Sequence, residues 1–377
     1  MPLRNDTPST ANSERVTVLI GGKELAHWSE LELHNQIDCI SSARFSVPFD
    51  PTRKDLRDLF RPFTYKPLDV LVDGSLYFSG RVVGIEPALN ASERTVEVTA
   101  YAHAGALNDC TYPASADPND ALGYEFKELG LYAIASSLCQ PFGLKVDMPD
   151  DAGAAFKRVR LEVDRKLLDF LADLARQRNL VLCNTASGDL RIWRSIGAPD
   201  DLGAKRVNKP VADLVSGQPP ITSIAARFAP QEYYSEVTCF SKTTRTKQGA
   251  RYTHRNRFLP DVLRPLAFKL EDTDSAGAPS AARAKLGRMF GNMVEYAIER
   301  LPTWRTPDGK LWSMNTTVTL TAPEVMVYSK TELLVRGVTL RQRADELTAD
   351  LDLVLPGSFS GEQPRKLPWT EPSEVRS

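Results

Sequence analysis

The sequence carries almost no net charge. Its 377 residues include 47 lysines and arginines and 48 aspartates and glutamates, which gives a formal net charge of −1 at pH 7. A chain without a broad positive field cannot hold nucleic acid or an anionic membrane through bulk charge. Any binding to such a partner must therefore depend on a local cluster of cations.

Cysteine is scarce as well. The five cysteines are Cys39, Cys110, Cys139, Cys183 and Cys239. They are widely spaced, odd in number and lack a Cys-x-x-Cys pair, so the pattern excludes a disulfide framework or a zinc site built on paired cysteines. We predict reduced, buried thiols in a protein made in the cytosol.

Long hydrophobic runs are missing. The longest apolar candidate, residues 129–144, is interrupted by Pro141 and Gly143 and is shorter than the ~20 residues that cross a bilayer. Residues 1–14 are polar and lack the apolar stretch of a secretory signal. We therefore expect a soluble protein with no membrane span and no export signal.

Motifs of catalysis and cofactor binding are absent too. The four histidines are His27, His34, His103 and His254. None has a metal-ligand partner at i,i+3 or i,i+4. Residues 357–361 place Phe359 where a nucleophile elbow needs serine, and no phosphate-binding Gly-rich loop is present. The sequence predicts no enzyme: no catalytic residue, no metal and no cofactor.

Short alternating strands dominate residues 15–105. Turns are expected at Gly21–Gly22 and at Asp73–Gly74, because glycine and aspartate tolerate the backbone of tight hairpins. Many short strands joined in this way are typical of a compact antiparallel sheet or barrel.

Residues 121–195 follow a Pro/Ser/Asp linker at 112–120 and alternate between helix and strand. One predicted helix buries Leu131, Ile134, Ala135 and Leu138. A second, capped by Asp164, buries Leu167, Leu168, Leu171, Leu174 and Ala175. With a turn at 185–189, this pattern predicts a small α+β unit.

The C-terminal part returns to strands around one helix, opened by Pro279 and Ser280. The residues expected on its buried side are Ala282, Leu286, Met289, Phe290 and Met293. In the last strand, leucine or alanine occupies every second position from 347 to 355, so Asp350 and Asp352 are predicted to face water. Residues 357–377 are rich in proline, serine and charge and are predicted to be a flexible tail.

One segment is locally basic. Residues 241–257 contain no acid. Their cations are Lys242, Arg245, Lys247, Arg251, Arg255 and Arg257, with Tyr252 among them. Such a segment could contact a phosphate backbone while Tyr252 stacks on a base. It could equally be a solvated hairpin or dock on an acidic protein neighbour.

Four stretches follow one another along the chain: residues 21–33 with 44–47, 70–110, 166–182 and 307–324, the last containing an Asp-Gly-x-Leu-Trp-x-x-Asn pattern. With these stretches in this order, the chain resembles the baseplate hub protein of Mu-like contractile-tailed phages, a family related to other myophage hubs and to the head of type VI secretion spike proteins. The resemblance covers about residues 15 to 355. The basic segment and the tail are outside it.

The resemblance implies a β-rich α+β multidomain fold, with two β-barrel-like hub domains flanking a small α+β domain. The expected boundaries are a flexible arm at 1–14, an N-terminal β hub domain at 15–110, the small domain at 111–200, a C-terminal β hub domain at 201–356 with the embedded helix and basic loop 241–257, and a flexible tail at 357–377.

The resemblance also implies a structural function in the tail baseplate of a virion assembled in the host cytoplasm. Three copies would form a ring that joins the hexameric tail tube to the trimeric central spike and lets DNA pass. The implied partners are the spike, the tube or tube-initiator protein, baseplate wedge proteins and the tape-measure protein. A hub-associated cell-wall hydrolase and a nucleic-acid-binding module using residues 241–257 are the alternatives.

Four apolar residues are candidates for contacts with such partners. Leu367 and Trp369 could anchor the tail on the spike or on a neighbouring subunit. Trp304 and Trp312 flank a Pro-Asp-Gly turn and are expected to be core or subunit-contact residues rather than parts of a ligand cage.

Overall fold

The computed structural model describes residues 14–90, 94–113, 124–197, 209–241, 249–270, 277–344 and 346–370. The helices are α1 (Lys54–Leu59), α2 (Ala106–Asp109), α3 (Leu131–Cys139), α4 (Leu167–Gln177) and α5 (Ala278–Met293). The first strands are β1 (Val16–Ile20), β2 (Lys23–Glu24), β3 (Ser29–Gln36), β4 (Ser42–Pro48), β5 (Pro67–Val72), β6 (Ser75–Leu89) and β7 (Arg94–Ala102). The middle strands are β8 (Tyr124–Leu129), β9 (Val146–Asp147), β10 (Phe156–Leu161), β11 (Val181–Asn184) and β12 (Leu190–Trp193). The last strands are β13 (Asp213–Val215), β14 (Ser223–Phe228), β15 (Glu236–Phe240), β16 (Arg251–Arg255), β17 (Pro265–Lys269), β18 (Val294–Leu301), β19 (Thr317–Ala322), β20 (Val327–Arg343) and β21 (Glu346–Val354).

One sheet of 13 strands contains strands from both ends of the chain. Its order is β14-β18-β21-β20-β3-β4-β7-β6-β5-β1-β2, with β19 also paired to β20 and β13 to β19. The fold is therefore mostly β, as predicted. Among the described strands the first and last members of this order do not pair, so the two predicted barrel-like domains are not confirmed.

The sheet is continuous because β3 pairs antiparallel with β20. The register runs from Gln36 opposite Gly337 to Leu31 opposite Gln342. The N-terminal β unit and the C-terminal β unit thus share backbone hydrogen bonds rather than side-chain contacts alone. We call this pairing the seam.

The two predicted hairpin turns are confirmed. Gly21 and Gly22 have φ of 59° and 77° between β1 and β2, and Asp73 and Gly74 have φ of 50° and 76° between β5 and β6. Two consecutive positive φ angles are the geometry that matches the right-handed twist of paired strands.

The middle unit packs α3 and α4 on two small sheets. One sheet pairs β8 with β10, and the other has the order β11-β12-β9. The predicted apolar face of α3 is buried, as are Leu167, Leu171, Leu174 and Ala175 on α4. Asp164 is not the cap: α4 begins after Lys166, which makes no side-chain cap hydrogen bond. Asn179, with φ of 55°, ends this helix segment.

Helix α5 has the predicted buried side and also a close contact with the segment that follows β21. A Cβ added to Gly287 would lie 2.8 Å from the Cα of Gly361, and one added to Gly291 would lie 2.9 Å from the Cβ of Ser358. Phe359 is buried beside them. The prediction of a flexible tail is therefore wrong for residues 357–370, because the glycines of α5 let this backbone pack against the helix. Residues 371–377 lie outside the described part.

Two further expectations are corrected. Asp352 is only partly exposed, because its carboxylate lies over Gly337 on the neighbouring strand; burial raises its pKa. Asp350 forms an ion pair with Arg341 and accepts a hydrogen bond of 2.8 Å from the backbone N–H of Arg300.

Glu14, the last residue of the predicted arm, forms an ion pair with Arg305 at 2.7 Å. Residues 1–13 lie outside the described part.

No helix among the described residues is both long and apolar enough to cross a membrane.

Candidate functional site

The three structural units meet around an ion pair between Asp38 and Arg288. Asp38 lies in the turn between β3 and β4, and Arg288 lies on α5. The Arg288 guanidinium donates to Asp38 Oδ2 at 3.1 Å and to the carbonyl oxygen of Leu180 at 3.1 Å. The side chains of the pair are 10% and 14% exposed. Burial lowers the pKa of Arg288, and the Asp38 carboxylate acts in the opposite direction.

More contacts reach this point from the middle unit and from the C-terminal segment. Arg176 of α4 lies 3.6 Å from Asp38 and 3.3 Å from Asp173. The Arg288 guanidinium lies over the ring of Phe359, 5.6 Å from its centroid. The Asp38 carboxylate also accepts a hydrogen bond from the backbone N–H of Leu182 at 3.1 Å. We call these contacts the junction; they fix the middle unit against both β units.

A cleft of about 610 Å³ opens beside the junction. It is lined from all three units, by Asp38 and Cys39, by Arg176, by Lys285 and Arg288 of α5, and by Arg336 of β20. Both signs of charge line the cleft, and one of its acids, Asp38, is already paired with Arg288.

A second link to the middle unit comes from Asn315, the last residue of the Asp-Gly-x-Leu-Trp-x-x-Asn pattern. Its side-chain oxygen accepts hydrogen bonds from the Ser195 hydroxyl at 3.1 Å and from the Ile196 backbone N–H at 2.9 Å. The motif therefore ties the chain leaving the middle unit to the C-terminal β unit.

A row of ion pairs crosses the sheet at the seam. On β3 and β20, Glu32 pairs with Arg341 at 3.0 Å and Glu30 with Arg343 at 2.7 Å. Further pairs lie on either side: Arg44 with Glu97, Arg341 with Asp350, and Arg300 with Glu346. Positive and negative groups alternate across six strands, so this face, which we call the charged row, has a polar surface with little net charge.

Trp304 and Trp312 are core residues. Their exposures are 0% and 1%. The Trp304 indole donates to the carbonyl oxygens of Arg341 and Thr348 at 3.0 and 2.9 Å, and the Trp312 indole donates to that of Thr303 at 3.2 Å. Neither side chain is accessible to a partner. Of the two predicted roles, core residue and subunit-contact residue, the structure supports the first.

Leu367 and Trp369 pack on the C-terminal β unit of their own chain. Leu367 is 7% exposed. Trp369 is partly buried, and its ring meets that of Phe228 edge-on, with 5.4 Å between centroids. Their contact with a partner stays a prediction, carried by the part of Trp369 that remains accessible.

The basic segment is divided by the structure. Lys242, Arg245 and Lys247 lie outside the described residues. Arg251, Tyr252 and Arg255 belong to β16. The Arg257 guanidinium is directed away from the other cations of the segment. It donates to the carbonyl oxygen of Pro364 and lies over the ring of Phe258, 4.8 Å from its centroid.

Tyr252, predicted to stack on a base, instead faces α5 with the buried Cys239. The exposed aromatic residue beside Arg251 is Phe240, which pairs with Arg251 across strands β15 and β16. Sequence reasoning missed Phe240, although strand alternation through 236–240 would place it opposite the buried Val237 and Cys239.

Metal-ligating side chains and thiols are the remaining candidates for site chemistry. No group of three or more metal-ligating side chains occurs in the described parts of the chain. None of the five cysteines forms a disulfide. Burial raises the pKa of Cys139 and of Cys183 to about 12, which keeps both as thiols. Cys39 and Cys110 are exposed, contrary to the prediction that all five are buried.

Comparison with known proteins agrees with this description. Residues 104–194, the middle unit, match the family model of the second domain of gp44-like baseplate hub proteins. The 43 kDa tail protein of prophage MuSo2 from Shewanella oneidensis has a similar fold, with a TM-score of 0.74, 23% identity, and coverage of 92% of this chain and 99% of that one. A tail protein from Neisseria meningitidis MC58 gives a TM-score of 0.73 at 17% identity, with coverage of 92% and 99%.

A component of the type VI secretion system of E. coli, described as structurally similar to the T4 tail proteins gp27 and gp5, gives a TM-score of 0.50 at 10% identity, covering 90% of this chain and 76% of that one. A search of curated proteins finds no match. The predicted resemblance to baseplate hub proteins is confirmed, in sequence for the middle unit and in fold for nearly the whole chain.

Proposed function

We propose that this protein is a structural hub of a contractile phage tail baseplate. One observation carries the proposal: the unit that matches a hub-protein domain is locked by the junction between two β units that form a single sheet. Because these contacts tie the three units together, the protomer suits a part that transmits position and force rather than one that opens around a substrate.

In this proposal three copies form a ring between the hexameric tail tube and the trimeric central spike. Open strand edges support it. Among the described strands, β14 pairs on one side only, with β18, and the two-residue β2 ends the sheet at the other side. An exposed strand edge can pair with another chain, and a closed ring covers each edge with a neighbour.

Exposed apolar side chains support contacts between copies as well. Phe63 is 91% exposed, with φ of 60°, and Leu263 is 85% exposed. A positive φ at a bulky residue costs energy and persists where the surroundings require it. We assign Phe63 to a contact with a neighbouring copy or a baseplate partner.

The charged row suits the wall of a passage for DNA. A surface of paired charges is hydrated but binds a polyanion weakly, because its positive groups are neutralised by neighbours. We place this row toward the lumen, with the spike, the tube or its initiator, wedge proteins and the tape-measure protein at the other faces of the hub, in a baseplate assembled in the host cytoplasm.

Light scattering of the purified chain after size exclusion, combined with negative-stain imaging, tests the proposal. The expected result is a mass of three chains and a ring with a central opening. Mixing with the central spike protein of the same phage should give a larger complex. A chain that stays monomeric at every concentration, alone and with the spike, would overturn the proposal.

The same proposal makes the protein non-enzymatic. A zymogram on peptidoglycan tests the alternative of a cell-wall hydrolase. The purified chain should leave the substrate intact beside a lysozyme control, and clear lysis would contradict the structural function.

A further inference from the structure

The small sheet β16-β15-β17 has two different faces. On one face Cys239, Tyr252 and Phe268 pack with Ala281 and Ala282 of α5. Because successive side chains of a strand point to opposite faces, the alternate residues of all three strands point away from α5. This second face, which we call the outer face, faces solvent except at Thr238, which is 7% exposed.

The outer face holds an aromatic ring between two cations. Phe240 on β15 is opposite Arg251 on β16 and opposite Lys269 on β17. It is 40% exposed, and Arg251 and Lys269 are exposed. Residues paired across strands have side chains about 5 Å apart. Neither cation forms an ion pair with another residue in the described ranges, so both are available to a ligand.

The charge of the outer face is positive. Arg255 lies farther along β16, with its side chain 87% exposed, and is 4.0 Å from Glu236, the acid of this face. The other outer positions of the three strands are threonine, proline or alanine. Three cations therefore stand against one carboxylate, in a chain whose overall charge is −1. The local excess is the kind of cluster that the near-neutral composition requires for binding an anion.

We propose that the outer face binds single-stranded nucleic acid, with Phe240 stacked on a base and Arg251 and Lys269 on flanking phosphates. A flat ring flanked by exposed cations matches a ligand in which flat rings alternate with anionic groups. In a duplex the bases are stacked on each other and cannot reach Phe240. An acidic protein would use the cations but would leave the ring without a stacking partner.

The proposal is tested with the full chain and a fluorescein-labelled oligothymidylate of about 15 nucleotides, within the range that single binding platforms cover. Fluorescence anisotropy should give tighter binding to this strand than to a duplex of equal length. Phe240→Ala should weaken binding to the single strand at least fivefold, roughly the lower end of what loss of one stacked base produces, while Phe240→Trp should retain it.

Salt dependence tests the cations separately. Each phosphate contact adds about 0.7 to the slope of log K against log salt for a single strand. Arg251→Gln/Lys269→Gln should therefore reduce the slope by about 1.4. Lys54→Gln/Arg57→Gln on the exposed α1 removes the same charge elsewhere and should leave the slope unchanged.

Tyr328→Ala is the matched control for Phe240→Ala, since Tyr328 is also 40% exposed but lies on β20. Equal losses for the two variants would overturn the proposal. Equal affinity for the duplex, or competition by polyglutamate as strong as by unlabelled oligothymidylate, would also overturn it. Binding of single-stranded nucleic acid does not require the proposed trimeric assembly. A negative result in this experiment therefore leaves the hub proposal standing.

Discussion

Arg288 and Asp38 form an ion pair although 250 residues separate them in the sequence, with 3.1 Å between the guanidinium and the carboxylate. Asp38 belongs to the N-terminal β unit and Arg288 to the helix of the C-terminal one. The Leu180 carbonyl, which shares the same guanidinium, belongs to the middle unit. One side chain thus connects all three parts of the molecule.

Asp38→Asn should lower the free energy of unfolding by about 3 kcal/mol, because it leaves the Arg288 charge buried without its counter-ion. Urea unfolding followed by tryptophan fluorescence measures this. Asp55→Asn, which breaks an ion pair between the exposed side chains of Arg53 and Asp55 at the start of α1, is the control and should leave the midpoint unchanged. Adding Arg288→Met to Asp38→Asn should recover part of the lost stability, because it removes the unpaired buried charge. Equal midpoints for Asp38→Asn and Asp55→Asn would refute a stabilising role of the buried ion pair.

Gly287→Ala should displace the segment 357–370 from α5. Alanine favours a helix over glycine by about 1 kcal/mol, but its Cβ would lie 2.8 Å from the Gly361 backbone, and backbone cannot move aside cheaply. We expect a net loss of about 1–3 kcal/mol, as for other overpacked sites, and faster proteolysis within the displaced segment. Gly130→Ala, whose Cβ meets nothing within 4 Å, is the control. Unchanged proteolysis in Gly287→Ala would contradict the close packing.

Trp304→Ala should lower the free energy of unfolding by about 3–5 kcal/mol, the usual cost of truncating a buried tryptophan. Trp304→Phe keeps most of the apolar contact and loses the one indole N–H, which is shared between the carbonyl oxygens of Arg341 and Thr348, so it should cost about 1 kcal/mol. Trp369→Ala should cost less than Trp304→Ala, because Trp369 is only partly buried. Thermal unfolding of the three variants gives the order, and a Trp304→Ala protein with the parent's melting curve would exclude the core role.

Asp352→Asn should stabilise the protein at neutral pH. Burial, and then the nearby Glu295 carboxylate, raise the pKa of Asp352 above its ordinary value of 3.8. The folded state therefore holds this proton more tightly than the unfolded state. The bound proton stabilises the parent fold at pH values below the ordinary pKa, and this stabilisation is lost as the pH rises through the raised pKa. The asparagine variant avoids this loss, and its advantage should vanish at low pH.

Urea midpoints at several pH values between about 3 and 7 test this linkage, across the range in which the carboxylate ionises. Asp261→Asn, on an exposed loop, is the matched control. An advantage of Asp352→Asn that is the same at every pH would show that the gain comes from packing rather than from ionisation.

Local features of the fold could be predicted from the sequence. The turns at Gly21–Gly22 and Asp73–Gly74 depend on the residues within them, and the buried side of α3 follows from its own periodicity. Asp164 shows the limit of such reasoning: its residue type suits a cap, but α4 starts two residues later, after Lys166. The helix start is set by packing of Leu167 in the middle core.

Contacts between distant segments could not be predicted in this way. Nothing near Asp38 in the sequence identifies Arg288, and nothing in residues 357–370 shows that the glycines of α5 leave room for them. In the basic segment, charge identified the region, whereas the choice between Tyr252 and Phe240 depends on which face of a strand meets α5. Composition left a phosphate contact, a solvated hairpin and an acidic protein partner all open, and pairing of β16 with β15 determines the orientation.

The seam has a consequence for the order of events in the cell. The partner of β3 is β20, about 300 residues later in the chain, so at roughly 5–20 residues per second the ribosome needs about 15–60 s to supply it. Until then the N-terminal unit exposes an unpaired strand edge. An interrupted or truncated chain can never complete the sheet. Synthesis itself therefore decides which copies reach the complete fold, and incomplete chains are left to chaperones and proteases.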